Sequence, residues 1–204
     1  MSGAEPPAER RGGGLLRLAL WAVIAVGAAA VVYVIAASSI KPGAGQGLER
    51  FARGGMEKLR VPEQPGRIPT VVIQDDAGVS LNLAEMPGEI VVVNLWATWC
   101  APCVTEMPTL AGLQRAYPGR VNVVPVSMDV TSKVDEAKAF IAKHPPLRFF
   151  HDERWAVSVA ANARRGLPTT IIYGDDGVER ARVVGIAEWD SPDAKRLFDA
   201  LLEP

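Results

Sequence analysis

The run VVVNLWATWCAPC, Val91 to Cys103, decides how this chain folds. Its first half is apolar and rich in β-branched residues, the composition of a strand buried on both faces. The pattern breaks at Ala97 to Trp99, and from about Cys100 the sequence reads as a helix that runs to about Tyr117, where Pro118 and Gly119 stop it. Pro102 is tolerated in the first turn, where an N–H has no intrahelical partner, whereas Pro108 falls inside the helix and predicts a kink. Cys100 and Cys103 are the only cysteines of the chain. They therefore stand three residues apart at a strand-to-helix junction.

A thiol at a helix N-terminus faces unsatisfied N–H groups and the positive end of the helix dipole, both of which favour thiolate. Only the thiolate attacks a disulfide, so Cys100 is the candidate nucleophile. Cys103, about one turn further on, is the candidate resolving thiol and the more buried of the two. Trp99 is placed to shield one side of the pair and to offer a flat apolar surface to a partner. Three other uses of the pair compete. A structural disulfide closing so short a loop removes little unfolded-state entropy. A zinc site needs four ligands, and only His144 and His151 could supplement the cysteines. Two inert core thiols make no use of the strand–turn–helix context. A redox-active pair accounts best for the motif.

At these residues the chain resembles the thioredoxin superfamily, and within it the membrane-anchored TlpA-like thiol–disulfide proteins of bacteria. The matching stretches are NLWATWCAPC from Asn94 to Cys103, the Glu106-Met107-Pro108 just beyond it, GLPTT from Gly166 to Thr170, and GIAEW from Gly185 to Trp189. The likeness runs from about Ile68 to Leu202. It implies thiol–disulfide exchange through Cys100 and Cys103 without metal or organic cofactor. It also implies a reductant of protein disulfides in cytochrome oxidase copper-site assembly or cytochrome c maturation. Its partners are then periplasmic disulfide-bearing proteins and a membrane electron donor for re-reduction. By the same resemblance Pro168 is a cis-proline beside the cysteines that keeps metals off them, and the backbone of Leu167 pairs with the substrate's strand. The local sequence alone fits a trans-proline opening an edge strand equally well.

Thioredoxins proper carry a buried aspartate at the position of Asn94. Asparagine cannot take a proton, so Glu106, three residues after Cys103 and near the same helix face, is the candidate proton acceptor. A solvated helix glutamate is the plainer alternative. Copper chaperones of the Sco type share the fold but use a CxxxC pair with a distant histidine. The CxxC spacing here leaves a copper-binding assembly factor as the non-enzymatic rival.

The remainder is organised around this domain. The chain has 204 residues, 49% of them hydrophobic, and a formal net charge of −1, which gives no nucleic-acid footprint. Residues 1–17 read as a short cytoplasmic tail. Residues 18–40 carry no charge and would span about 34 Å as a helix, enough for a bilayer core of about 30 Å. The run exceeds a signal-peptide core, although Ala36-Ala37-Ser38 offers a weak cleavage site. The expected arrangement is a retained single-pass anchor in the bacterial inner membrane, with the domain in the periplasm.

Residues 41–66, rich in Gly and Pro, read as a linker with one short helix over Leu48 to Leu59. Residues 67–204 then read as the thioredoxin-like domain. Pro69 to Gln74 and Val79 to Leu83 form an N-terminal hairpin, and Glu89 to Leu95 and Val121 to Ser127 form two parallel buried strands. A helix over Thr131 to His144 is capped by Thr131 or Ser132 and ended by Pro145-Pro146, Leu147 to Phe150 is extended, and Ala156 to Ala163 is a short helix. Thr169 to Tyr173 and Val178 to Val184 form a second hairpin, and Ser191-Pro192 opens the last helix. The expected fold class is α/β, a thioredoxin-like mixed sheet with helices on both faces and an N-terminal hairpin extension.

Overall fold

Strand β4 (Ile90–Trp96) is buried at all seven positions and lies in the interior of the sheet. Side chains of a strand alternate between faces. Ile90, Val92 and Trp96 accordingly enter one apolar core and Val91, Val93 and Leu95 the other. In this alternation Asn94 points into the first core, the side on which the helix after the cysteines packs.

The computed structural model describes residues 47–203, together with Leu20, Trp21, Ala22, Ile24 and Gly27. The tail 1–17, most of the proposed span 18–40 and positions 41–46 lie outside the described residues. Among the described residues no helix is long and apolar enough to cross a membrane. The folded body is the unit that begins at Ala44.

Its remaining strands are β1 (Leu59–Arg60), β2 (Val72–Asp75), β3 (Ser80–Asn82), β5 (Val121–Ser127), β6 (Phe150–His151), β7 (Thr169–Gly174) and β8 (Glu179–Val184). The helices are α1 (Ala101–Ala116), α2 (Val134–Ile141), α3 (Ala156–Ala160) and α4 (Pro192–Leu202). One sheet takes the order β1-β8-β7-β4-β5-β6-β2-β3. β5 runs parallel to β4 and to β6, and the other pairings are antiparallel. Helices α1, α2 and α4 bury side chains in the core on one face, and α3 packs in the core on the other. This is the expected thioredoxin-like α/β fold, with the hairpin β2–β3 extending the sheet beyond β6.

Several local expectations hold. Ser191 Oγ accepts from Ala194 N–H at 3.2 Å, with Pro192 at the first helical position. The turn Gly174 to Gly177 joins β7 to β8. Pro108 lies inside α1.

Others need correction. Leu48 to Leu59 is not a helix but two 3-10 turns, Leu48–Phe51 and Gly54–Met56, leading into β1, which pairs with β8. Leu48, Phe51, Met56 and Leu59 are buried in the main core, so this part of the presumed linker is fastened to the domain. Between Val130 and His144 a 3-10 turn at Thr131–Lys133 precedes the shorter α2, and neither Thr131 nor Ser132 caps it. The extended piece expected over Leu147 to Phe150 is strand Phe150–His151 instead, because only these two residues reach β5 and β2.

Candidate functional site: the Cys100–Cys103 junction

Cys100 is the N-cap of α1 in extended conformation, and its carbonyl accepts the first helical bond from Val104 N–H at 3.1 Å. The preceding turn is closed by Cys100 N–H donating to Ala97 O. Pro102 occupies the first turn of the helix, as its lack of an N–H allows. Cys100 and Cys103 are joined in a disulfide with a Cα–Cα separation of 5.3 Å. Cys100 is 5% exposed and Cys103 fully buried. Trp99, beside them, is 64% exposed.

Glu106 is not a solvated helix residue. It is 1% exposed, behind the disulfide on α1. Asn94 Nδ2 donates to Glu106 Oε1 at 2.8 Å, and Ala187 N–H and Trp189 Nε1 both donate to Oε2 at 3.2 Å. Burial pushes its carboxyl up to about 7, and the three hydrogen bonds together with the charge of Lys58 hold it from rising further. Asn94 also donates to Thr170 Oγ1 at 2.8 Å, which ties the carboxylate to β7. The GIAEW motif thus supplies two of the three donors to Glu106, through Ala187 and Trp189.

The Leu167–Pro168 peptide is cis, as the family resemblance implies. Pro168 is buried and Leu167 half-buried. Thr169, the next residue, pairs with Leu95 near the end of β4, so Pro168 lies at the sheet end from which the cysteine turn departs. Pro168 O accepts from Gly185 N–H at 2.8 Å. Among the described residues, no backbone hydrogen bond engages Leu167.

Sequence reasoning missed Asp129. Its carboxylate is fully buried and accepts from Thr98 N–H at 3.0 and 3.2 Å, from Thr98 Oγ1 at 2.7 Å and from Ser127 Oγ at 2.9 Å. It fastens the Ala97–Trp99 turn that presents Cys100. Its place just beyond the second buried strand was the only available signal.

The histidines are spent elsewhere. His144 Nδ1 is 2.9 Å from Phe140 O, and His151 Nε2 is 2.8 Å from Asp129 O. Among the described residues no group of three or more His, Cys, Asp or Glu side chains is disposed to hold a metal ion.

Comparison with known proteins places this geometry. The Redoxin family matches residues 64–200. Thioredoxin-like protein YneN of Bacillus subtilis is 30% identical over 123 residues, covering 59% of this chain and 72% of that protein. Thiol-disulfide oxidoreductase ResA of Bacillus thuringiensis is 32% identical over 123 residues, covering 59% of this chain and 68% of that protein. The crystal structure of a DsbF homologue from Corynebacterium diphtheriae superposes with a TM-score of 0.60 at 20% identity, over 73% of this chain and 96% of that one, and shares its fold. The family match spans more than half the chain and takes in the paired cysteines, the cis-proline and the buried glutamate: the chain belongs to the Redoxin family, among its thioredoxin-like thiol-disulfide oxidoreductases.

Proposed function

We propose that this thiol-disulfide oxidoreductase is a membrane-anchored, periplasmic reductant of partner-protein disulfides. Residues 18–40 serve as a single inner-membrane span behind a cytoplasmic tail of residues 1–17, and the folded body carries the chemistry. The observation that carries the reading is the buried Cys100–Cys103 pair at the start of α1, with the carboxyl of Glu106 buried one turn further along the same helix and its pKa raised to about 7.

In the reduced protein the Cys100 thiolate attacks one sulfur of the partner's disulfide. A mixed disulfide forms, and the partner's other sulfur leaves as thiolate. Cys103 gives its proton to Glu106 and attacks Cys100 Sγ, which closes the 100–103 disulfide and releases the second partner sulfur. Two electrons pass to the partner, whose two thiolates take up protons, one of them the proton parked on Glu106. Pro102 and Trp99 shape the exposed side of the pair, and Leu167 and Pro168 form the edge against which the partner's strand is laid. A membrane dithiol donor then reduces the 100–103 disulfide. The TlpA-like resemblance supports cytochrome oxidase copper-site assembly or cytochrome c maturation as the setting of such a reductant.

The reduction potential of the full-length protein, equilibrated against thiol buffers, tests the direction. A value at or below about −270 mV, that of thioredoxin, is expected of a reductant, whereas one near −120 mV, that of DsbA, makes the protein an oxidant and overturns the reading. Cys103→Ser is expected to accumulate mixed disulfides with its partners, and the further change Cys100→Ser to abolish them.

A further inference from the structure

Beside the Leu167–Pro168 edge lies a cleft of about 490 Å³ whose charge the exchange chemistry does not require. Lys58, Arg60, Arg165 and Arg182 line it, and no carboxylate does. Arg182 is committed, with Nη2 donating to Glu179 Oε2 at 2.7 Å and Nε to Oε1 of the same side chain. The other three cations have no carboxylate within salt-bridge distance among the described residues. Arg60 Nη1 is steadied by the carbonyls of Glu57 and Leu59, which leave its charge uncompensated.

The cleft is joined to the site by the chain itself. Val184 on its wall pairs with Thr169, the residue after the cis-proline. Arg165 is two residues before Leu167 in the same turn-rich loop. A smaller, mostly apolar slot of about 180 Å³ is lined by Trp155, Val159, Arg164 and Leu167, and Ala163 lines both hollows. A strand laid along Leu167 therefore passes a slot for an apolar side chain and a cleft for an anionic one.

We propose that Lys58, Arg60 and Arg165 form a specificity subsite for acidic residues flanking the disulfide of the partner protein, seating that disulfide over Cys100. The inference rests on the exchange reading above and deepens it by naming the chemistry of the partner segment. Three cations facing one cleft repel a basic segment as well as attracting an acidic one, so the subsite discriminates in both directions.

The test uses the reduced full-length protein and three disulfide-bonded peptides that differ only in having Asp, Gln or Lys on both sides of the reactive cysteine. The Asp peptide is expected to be reduced about tenfold faster than the Lys peptide at low ionic strength, with the gap narrowing as salt is added. Arg165→Glu is expected to shrink or invert that ratio. Rates within twofold of one another, or a ratio unmoved in Arg165→Glu, overturn the subsite. A fluorescent Asp peptide with Ser in place of Cys, read by anisotropy, keeps the two readings apart. Charge-selective binding without reduction of any peptide retains the subsite and removes the exchange reaction. Reduction indifferent to flanking charge does the reverse.

Discussion

The indole of Trp189 donates a hydrogen bond to the carboxylate of Glu106 across 83 residues of sequence. It joins the loop after β8 to the second turn of α1, directly behind the cysteines. A donor aimed at a carboxylate stabilises the charged form, so this contact lowers the affinity of Glu106 for its proton.

Trp189→Phe keeps most of the buried ring and removes the donor. The Glu106 carboxyl is then expected to titrate above its present value of about 7, which moves the alkaline shift in the pH–rate profile of disulfide reduction upward. The lost bond to a charged group costs about 2 kcal/mol, readable in urea unfolding. An unmoved pH profile, with stability lowered, would reduce Trp189 to a packing residue.

Glu106 also makes stability depend on pH. Folded, it keeps its proton up to about pH 7, whereas its ordinary value is 4.5. Between these values the native state binds more protons than the unfolded chain, so stability falls as pH rises through the window. The contribution is complete below 4.5 and lost above 7, and the span corresponds to about 3 kcal/mol. Glu106→Gln, which has nothing to ionise, is expected to flatten this slope while slowing release of the mixed disulfide. Denaturant midpoints at a series of pH values check the first effect and quenched-flow trapping the second.

Asp129→Ala leaves Thr98 N–H, Thr98 Oγ1 and Ser127 Oγ without their shared acceptor. The expected loss is about 3 kcal/mol, because buried donors deprived of a partner bear the full desolvation cost. Since the Thr98 turn presents Cys100, the reduction potential should also shift, while Asp129→Asn, which keeps one acceptor oxygen, should move both quantities less. A destabilised variant with an unaltered potential would confine Asp129 to folding.

Met56 decides where the body of the protein begins. It is fully buried in the main core, so Met56→Ala is expected to cost about 3 kcal/mol, whereas a linker methionine would cost nothing measurable. Urea unfolding of the two forms separates these outcomes.

The parts legible in the sequence were those whose cause is local. β4 announces itself by an unbroken apolar run, α1 by the cysteine turn and Pro102, and α4 by the Ser191–Pro192 pair. The cis-proline was legible only through the family resemblance, and Glu106 was found by its spacing from Cys103. Its burial was hidden, because the residues that seal it, Ala187 and Trp189, lie 81 and 83 positions away. Asp129 gave still less, since its partners are a turn and a strand end that only the fold unites. The stretch from Leu48 to Leu59 was misread for a different reason. Its apolar residues, Leu48, Phe51, Ala52, Met56 and Leu59, fall at offsets that suit one face of a helix, but Gly54 and Gly55 interrupt it and the stretch folds as two 3-10 turns instead.

That same stretch has a protective consequence. β8 would otherwise end the sheet with a free row of N–H and carbonyl groups, an invitation to any extended chain nearby. Leu59 and Arg60 occupy part of that row by pairing with Val183 and Arg182. Incoming strands are thereby discouraged at that rim of the sheet, while the backbone at Leu167 stays unpaired among the described residues. The short strand works as a guard against misplaced pairing, and so against self-association.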